Sequence, residues 1–345
     1  MKRFRRGLVV GKFAPLHRGH EQVVRRAEAE CVEVVLLSYS KPELAGCGPE
    51  RRAEWLTRLF PAARVIVLAE PATSLPANDA DDLTHRRFVG RVIVQRVGGP
   101  VDAVFTSEAY GDGFAEELTR CFREIFGAGV PSVVHVEVDR VRRLVPVSGT
   151  QLRTDVHAQR AWLDPRVYAT FVARVALLGG ESSGKSTLAA RLATEHGTAY
   201  VAEYGRDVWA AKSGRLERDD LRAIAEEQVA REEKAAERAV RFLFCDTTPL
   251  TTRFYAEELF GAVDPAVERL AGRPYAHVFL CAPDFPFVQD GTRSDAAFRQ
   301  RQHAWYESEL ARRGVPYDVL TGTVEERCAR VRAVLTRLLQ EFDQR

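Results

Sequence analysis

Two glycine-bearing loops, GKFAPLHRGH at 11–20 and GGESSGKS at 179–186, each follow a short apolar run and precede an amphipathic one. Such a loop constrains a fold strongly. A strand must end and a helix begin at the same place, which leaves free backbone N–H groups and the positive end of a helix dipole beside the loop. One such loop opens each half of the 345-residue chain, so the sequence reads as two consecutive domains, 1–170 and 171–345.

The runs around the loops fit that reading. In the first half, β-branched apolar segments at 7–10, 32–38, 64–69, 102–106 and 133–138 have the length of buried strands. Between them, 20–30 carries Val23, Val24 and Ala27 on one helical face, and 49–59 opens with proline and glutamate, as helix N-termini favour. The second half repeats the pattern, with strands expected at 172–178, 199–202, 242–245, 277–281 and 317–320 and helices at 185–195, 219–240 and 324–342. Strands alternating with helices imply two doubly wound parallel-sheet α/β domains, whose ligands sit at the carboxyl ends of the strands.

Composition narrows the function classes. Fifty Lys and Arg against 48 Asp and Glu leave a formal charge of +2, which gives no reason to expect a nucleic-acid-binding surface. Cys31, Cys47, Cys121, Cys245, Cys281 and Cys328 are scattered without metal-ligand spacing and read as reduced core residues. There is no signal-peptide pattern and no apolar run near the roughly 20 residues of a membrane span, so a soluble cytoplasmic protein without membrane contact is expected. The alternating charges of 225–241 read as a solvated helical face. The chain is compatible with a homo-oligomer.

In the first loop, His17 and His20 stand where a glycine turn meets a helix N-terminus. Two imidazoles there can donate hydrogen bonds to phosphate oxygens, and Gly19 lets the backbone approach closely. GKFAPLHRGH resembles the HxGH signature of the nucleotidyltransferase superfamily, and SGTQLR at 148–153 resembles its second signature, the SxTxxR loop. The resemblance implies that His17, His20, Ser148, Thr150 and Arg153 hold the phosphates of ATP, with Gly11, Lys12 and Phe13 lining the same place. The chemistry it implies is attack of a substrate phosphate on the α-phosphorus of ATP with departure of pyrophosphate. No protein nucleophile is needed; alignment and charge stabilisation by Lys12, Arg153 and the histidines carry it.

The second loop matches the GxxxxGKS pattern of nucleotide-binding P-loops, with strand before and helix after. Loop amides, together with Gly179, Glu181, Ser182, Ser183, Gly184 and Thr187, would surround the phosphates of ATP. Lys185 would bridge the β- and γ-phosphates and Ser186 would ligate Mg2+. FLFCDTT ends a strand at Asp246, a candidate for the magnesium shell or for the base. Glu203 and Arg206 in AEYGRDVW, and Asp290 and Arg293 in QDGTRS, follow expected strands and are candidates for ribose and phosphate contacts.

GPERRAEWL, DDLTHRRFV and FTSEAYGD in the first half resemble nicotinamide mononucleotide adenylyltransferases. There an ER pair, here Glu50 and Arg51, follows the second strand, and a tryptophan stacks on the nicotinamide ring. Phe88 stands at the tryptophan position, with Trp55 the other aromatic candidate. GGESSGKST, EYGR, CDT and DGTRS, in that order, resemble the ribosylnicotinamide kinase domain of NadR-type bifunctional proteins. The resemblance covers nearly the whole chain and implies two consecutive reactions. The second domain would phosphorylate the 5′-hydroxyl of nicotinamide riboside with ATP, and the first would adenylylate the resulting nicotinamide mononucleotide to NAD. Two departures stand out. Family members often carry a second aspartate where this chain has Thr248, and no counterpart of the DNA-binding helix-turn-helix of some members precedes the first strand, so a repressor role is not expected. Two other readings are a coenzyme A synthase-like adenylyltransferase and kinase fusion, and a non-catalytic sensor of NAD and ATP. EYGR, DGTRS and TSEAYGD disfavour the first, and intact His17, His20 and Lys185 the second.

Overall fold

A computed structural model describes residues 2–70, 75–141, 143–289 and 294–343. The chain divides between Tyr168 and Ala169 into two compact units. Apolar runs in both units form strands, the central ones buried on both faces over most of their length, and the amphipathic stretches between them supply the covering helices.

The first unit contains β1 (Phe4–Val10), α1 (Arg18–Glu30), β2 (Cys31–Ser38), α2 (Pro49–Leu59), β3 (Arg64–Val67), α3 (Asp82–Val97), β4 (Ala103–Thr106), α4 (Gly111–Phe126), β5 (Val134–Glu137), α5 (Gly149–Thr154) and α6 (Pro165–Tyr168). All five strands are parallel, in the order β3-β2-β1-β4-β5. The sheet therefore reverses its direction of winding between β1 and β4, which opens a crevice where the loop after β1 lies. Leu8, Val35 and Leu37 of the sheet pack with Phe88, Val89 and Ile93 of α3 and Phe114, Leu118 and Phe122 of α4. A core of this kind removes several large apolar side chains from water, each worth about 1.5–3 kcal/mol.

The second unit contains β6 (Ala173–Leu178), α7 (Lys185–Glu195), β7 (Ala199–Val201), α8 (Tyr204–Ala211), α9 (Arg218–Ala236), β8 (Phe242–Asp246), α10 (Pro249–Phe260), α11 (Pro265–Ala271), β9 (His277–Cys281), α12 (Ala296–Arg312), β10 (Tyr317–Leu320) and α13 (Val324–Asp343). Its parallel order is β10-β9-β6-β8-β7. The period of two along β6 divides the layers. Val175 and Leu177 pack with Leu188, Leu192, Val331 and Leu335 of α7 and α13, while Ala176 and Leu178 pack with Leu250, Tyr306 and Leu310 of α10 and α12.

The expected strands at 277–281 and 317–320 and the helices at 49–59 and 185–195 agree with the structure to the residue. The helix expected to run to residue 240 ends at Ala236 instead. Beyond it the backbone N–H of Val240 donates to the Thr198 hydroxyl at 2.7 Å and that hydroxyl donates to the Phe242 carbonyl, so the chain is turned into β8. The six cysteines are free, five of them buried. Among the described residues no helix is long and apolar enough to cross a membrane.

One glycine of the FTSEAYGD segment has a steric reason. The His135 ring lies under the start of α4, its Nδ1 2.8 Å from Asp112 and its Nε2 2.9 Å from the Thr106 hydroxyl. A Cβ on Gly111 would stand 2.0 Å from that ring. Gly111→Ala is expected to cost at least about 2 kcal/mol in urea unfolding, as overpacking does. Adding His135→Ala is expected to restore part of the loss.

Candidate functional site

The loop after β1 is built around His17. This residue caps α1 in an extended conformation, and its Nδ1 accepts from the Gly19 N–H at 3.1 Å, which leaves the ring hydrogen of the neutral form on Nε2. A Cβ on Gly19 would stand 3.0 Å from the same ring. The glycine of the HRGH run thus makes room for the imidazole. The His17 and His20 rings lie against each other, centroids 3.8 Å apart and 33° between planes, and Phe13 closes on His20 at 4.9 Å. Phe13 is buried with φ 48°, a left-handed conformation that a bulky residue adopts only when its surroundings impose it. A Cβ on Gly11 would meet the Phe13 ring at 3.2 Å, so the first glycine of the loop also yields space to an aromatic ring.

The 148–153 segment comes to the same place although it lies more than 130 residues away in sequence. Ser148 caps α5 with a reciprocal bond to Gln151, which aims the helix N-terminus. From that helix Arg153 donates to the Ala14 carbonyl at 2.6 Å and to the Thr150 hydroxyl at 3.0 Å. The guanidinium of Arg153 and burial together press the Lys12 ammonium below its usual pKa, burial being the larger cause, with Asp79 opposing. Two cations in a crevice, beside two imidazoles and a helix N-terminus, are an arrangement whose charge would suit a multiply charged anion.

Sequence reasoning passed over two supports of this loop. Arg52, next to the Arg51 of the ER pair, is wholly buried. It pairs with Glu43 at 2.9 Å and reaches the Lys12 carbonyl and the Ser38 hydroxyl. His85 stacks with Tyr39 and meets its hydroxyl at 2.9 Å, and the Lys12 charge, after burial, lowers its pKa. Arg51 is half-buried near the Gly46 carbonyl. The two aromatics proposed for stacking are placed otherwise. Trp55 is 2% exposed and Phe88 5%, the latter edge-on to Tyr39, because each occupies the apolar face by which its helix packs on the sheet. Neither presents an open face to a planar ligand.

In the second unit the loop after β6 is wound tightly. Gly179, Ser182 and Gly184 have φ of 141°, 55° and 79°. A Cβ on Gly179 would stand 2.6 Å from the Cys281 carbonyl and one on Gly184 2.9 Å from the Phe285 ring. Lys185 donates to the carbonyls of Gly179 and Gly180, both at 2.9 Å, and the buried Ser183 hydroxyl also donates to Gly180. Ser186 and Thr187 are exposed on the first turn of α7.

Asp246 ends β8, paired in register with Leu177 of β6, and is 2% exposed. Burial pushes its carboxyl up to about 6, with Lys185 pulling down, Glu203 pushing up, and the hydrogen bond from Ser186 and the charge of Arg206 pulling down. One carboxylate oxygen, Oδ1, has no hydrogen-bond partner among the described residues. Thr247, the next residue, has φ 69°, which a β-branched residue resists. Thr248, where relatives were expected to carry an aspartate, caps α10 by accepting from the Leu250 N–H. Among the described residues no three His, Cys, Asp or Glu side chains cluster as metal ligands. One buried carboxylate with an adjacent hydroxyl still fits Mg2+, which takes most of its ligands from waters and phosphates.

A cavity of about 140 Å³ opens from the loop. Glu203 and Arg206, joined at 3.2 Å, line it together with Glu181, whose carboxylate accepts from the Tyr255 hydroxyl at 3.0 Å and the Ser294 N–H at 2.7 Å. Trp209, Tyr255 and Gln228 also line it and were not singled out from sequence. Trp209 stands in the AEYGRDVW segment, one helical turn after Arg206, and that spacing was the available signal. Asp290 and Arg293 lie outside the described residues.

Comparison with known proteins agrees with this architecture. The AAA domain family model matches residues 174–327. The trifunctional NAD biosynthesis/regulator protein NadR of Escherichia coli K12 is 29% identical over 311 residues, 84% of this chain and 71% of its own length. That of Salmonella typhimurium LT2 is 28% identical over the same shares. A crystal structure of NadR in complex with NAD and AMP-PNP superposes with a TM-score of 0.67 at 21% identity, covering 96% of this chain and 95% of its own. One in complex with NR gives 0.66 at 22%, covering 92% and 88%. In sequence over most of its length and in fold over nearly all of it, the chain is similar to NadR-type proteins.

Proposed function

We propose that the chain is a bifunctional enzyme of NAD salvage, in which the second unit phosphorylates nicotinamide riboside with ATP and the first unit joins the nicotinamide mononucleotide so formed to the adenylyl group of a second ATP. The observation that carries the reading is the cavity of the second unit. It is lined by Gly179 and Lys185 of the glycine loop, by the aromatic Trp209 and Tyr255 and by the carboxylates of Glu181 and Glu203, with Thr247, the residue after the buried Asp246, also on its wall. A planar cationic ring such as nicotinamide in its riboside suits Trp209, Tyr255 and the carboxylates Glu181 and Glu203. Names of the relatives support the same chemistry: NAD biosynthesis for the curated proteins, NAD, AMP-PNP and NR as ligands of the solved ones.

In the kinase step the loop amides and Lys185 hold the β- and γ-phosphates of ATP in line with the riboside hydroxyl. Asp246 accepts the proton of that hydroxyl or holds the metal, and Glu203 and Arg206 face the ribose. Mg2+, held by Ser186 and Asp246, would neutralise developing phosphate charge. In the adenylyl step Ser148, Thr150 and the α5 N-terminus receive the outer phosphates, while Arg153, Lys12, His17 and His20 stabilise the charge spreading over the leaving pyrophosphate. The nucleophile is already an ionised phosphate, so no base is required.

Incubating the chain with nicotinamide riboside and Mg–ATP is expected to yield NAD and pyrophosphate; turnover of pantetheine 4′-phosphate alone would favour the coenzyme A reading instead. Lys185→Ala is expected to lower riboside phosphorylation by roughly 100-fold or more while adenylylation of added nicotinamide mononucleotide continues. His20→Ala is expected to do the reverse. Equal damage to both rates in a folded variant contradicts separate sites.

The buried Asp246 also has a stability consequence. Its folded pKa is raised, so the stability it contributes is complete below pH 3.8 and is lost as pH rises through about 6. Asp246→Asn is expected to remove phosphorylation and to raise the midpoint of thermal unfolding by several degrees at pH 7.5. Measured at pH 5, that gain is expected to shrink.

A further inference from the structure

The glycine loop of the second unit binds a polyanion only if its amides point inward, and successive inward N–H dipoles repel one another. Their carbonyls must therefore be held on the outside. Lys185 holds those of Gly179 and Gly180, but a phosphate competes for the same ammonium. The Ser183 carbonyl is held differently. Arg327, on the first turn of α13 and 1% exposed, donates to it at 2.8 Å through Nη1.

The rest of that guanidinium fastens two further loops. Its Nη2 donates to the Ala282 carbonyl at 3.1 Å and pairs with Asp284 in the loop after β9, and its Nε donates to the Gly322 carbonyl at 3.0 Å in the loop after β10. Asp284 in turn accepts from the Gly322 N–H at 2.7 Å. The plane of Arg327 lies 4.3 Å over the Phe285 ring, and that ring is the one a Cβ on Gly184 would strike at 2.9 Å. One buried cation thus grips the nucleotide loop by a carbonyl on one side and by an aromatic ring on the other. Its five donors in a rigid plane are what the arrangement requires, and a lysine cannot reproduce them. Arg299 adds a parallel hold, donating to the Phe285 carbonyl at 2.9 Å.

We infer that Arg327 is a positioning residue for nucleotide binding by the second unit, presetting the Ser183–Gly184 turn of the phosphate loop from outside. It touches no substrate and acts through the loop. The inference rests on the kinase reading above, and binding is measured apart from turnover so that the two can fail separately. Calorimetric titration of the full chain with Mg–AMP-PNP gives the affinity, with the wild-type rate of riboside phosphorylation measured beside it. Arg327→Lys is expected to weaken AMP-PNP binding to the second unit by about tenfold or more, since small misplacements of preorganised groups are costly. To keep the first unit's site from contributing, titrations use chains that also carry His20→Ala. In turnover the variant is expected to raise the KM for ATP, with the KM for riboside unchanged. A residue that merely stabilised the fold would lower kcat through the active fraction and leave both KM values alone.

Unchanged affinity in folded Arg327→Lys overturns the inference, whereas a wild-type chain that binds AMP-PNP without phosphorylating riboside overturns only the kinase reading. Folding is checked by thermal unfolding and by the adenylylation rate of the chain without His20→Ala. If Arg327→Lys does not fold, Asp284→Asn removes the partly exposed partner of the clamp and is read in the same titration. Weaker binding there supports the clamp, and wild-type binding overturns it.

Discussion

A peptide unit carries its carbonyl and its N–H on opposite sides of one plane, so fixing where the carbonyl points fixes where the N–H points. Both loops of this protein depend on that constraint. In the first unit Arg153 holds the Ala14 carbonyl and Arg52 the Lys12 carbonyl; in the second, Lys185 holds Gly179 and Gly180, and Arg327 holds Ser183. By fixing these carbonyls the cationic side chains fix the directions of the loop amides. Such contacts also offset unfavourable local conformations. Phe13, Ser182 and Thr247 are three of the six non-glycine residues with left-handed φ among those described, and all lie in or beside these loops. Each costs of order 1–3 kcal/mol and persists because neighbouring contacts over-determine it.

Much of this architecture was legible in the sequence, for a physical reason. Strands buried on both faces read as unbroken apolar runs, such as LFC at 243–245 or HVFLC at 277–281, and the helices between them keep one apolar stripe. The glycine loops were legible because strand, turn and helix are all local. What was not legible depends on tertiary packing. Trp55 and Phe88 look like ligand platforms in a helix near a site, yet the helix face they occupy is the one facing the sheet. Arg52 and Arg327 sit in strongly charged helical stretches, where arginine ordinarily stays in water. Their burial depends on which carbonyls lie opposite, and those carbonyls come from loops far away in sequence. Trp209 and Tyr255 face one cavity only after α8 and α10 have packed.

The motif glycines acquire more specific roles from the packing. Gly19 admits the His17 ring, Gly11 the Phe13 ring, Gly184 the Phe285 ring and Gly111 the His135 ring. Only Gly184 among these also needs a positive φ. Elsewhere the missing side chain matters as vacated space, filled by an aromatic ring that is itself oriented by a hydrogen bond or a neighbouring ring. Rings of this kind have few rotamers, so they transmit the position of the core to the loop more rigidly than an aliphatic side chain would. The spacing HxxH with glycine between is then a packing rule, whatever else the two imidazoles do.

The two sites differ in the sign of the charge they place near the reaction, and the difference follows the proposed division of labour. Around the first loop, burial and, after it, the charge of Arg153 lower the Lys12 pKa against an opposing pull from Asp79. In the proposed adenylyl step such a site would favour two phosphate-bearing partners brought together, because their mutual repulsion opposes approach and the attacking oxygen would already be ionised. Around the second loop, carboxylates stand among the cations, with the Asp246 carboxyl pushed up to about 6 by burial and, to a lesser degree, by Glu203. A hydroxyl nucleophile has a proton to lose, and a buried carboxylate with a pKa raised toward the working pH is a better acceptor than one left in water. Its burial costs stability only while it is ionised without a compensating charge. Under the proposed reading a metal-bound triphosphate would bring charges of both signs to that point, so the same burial that weakens the free protein would sharpen its interaction with such a substrate.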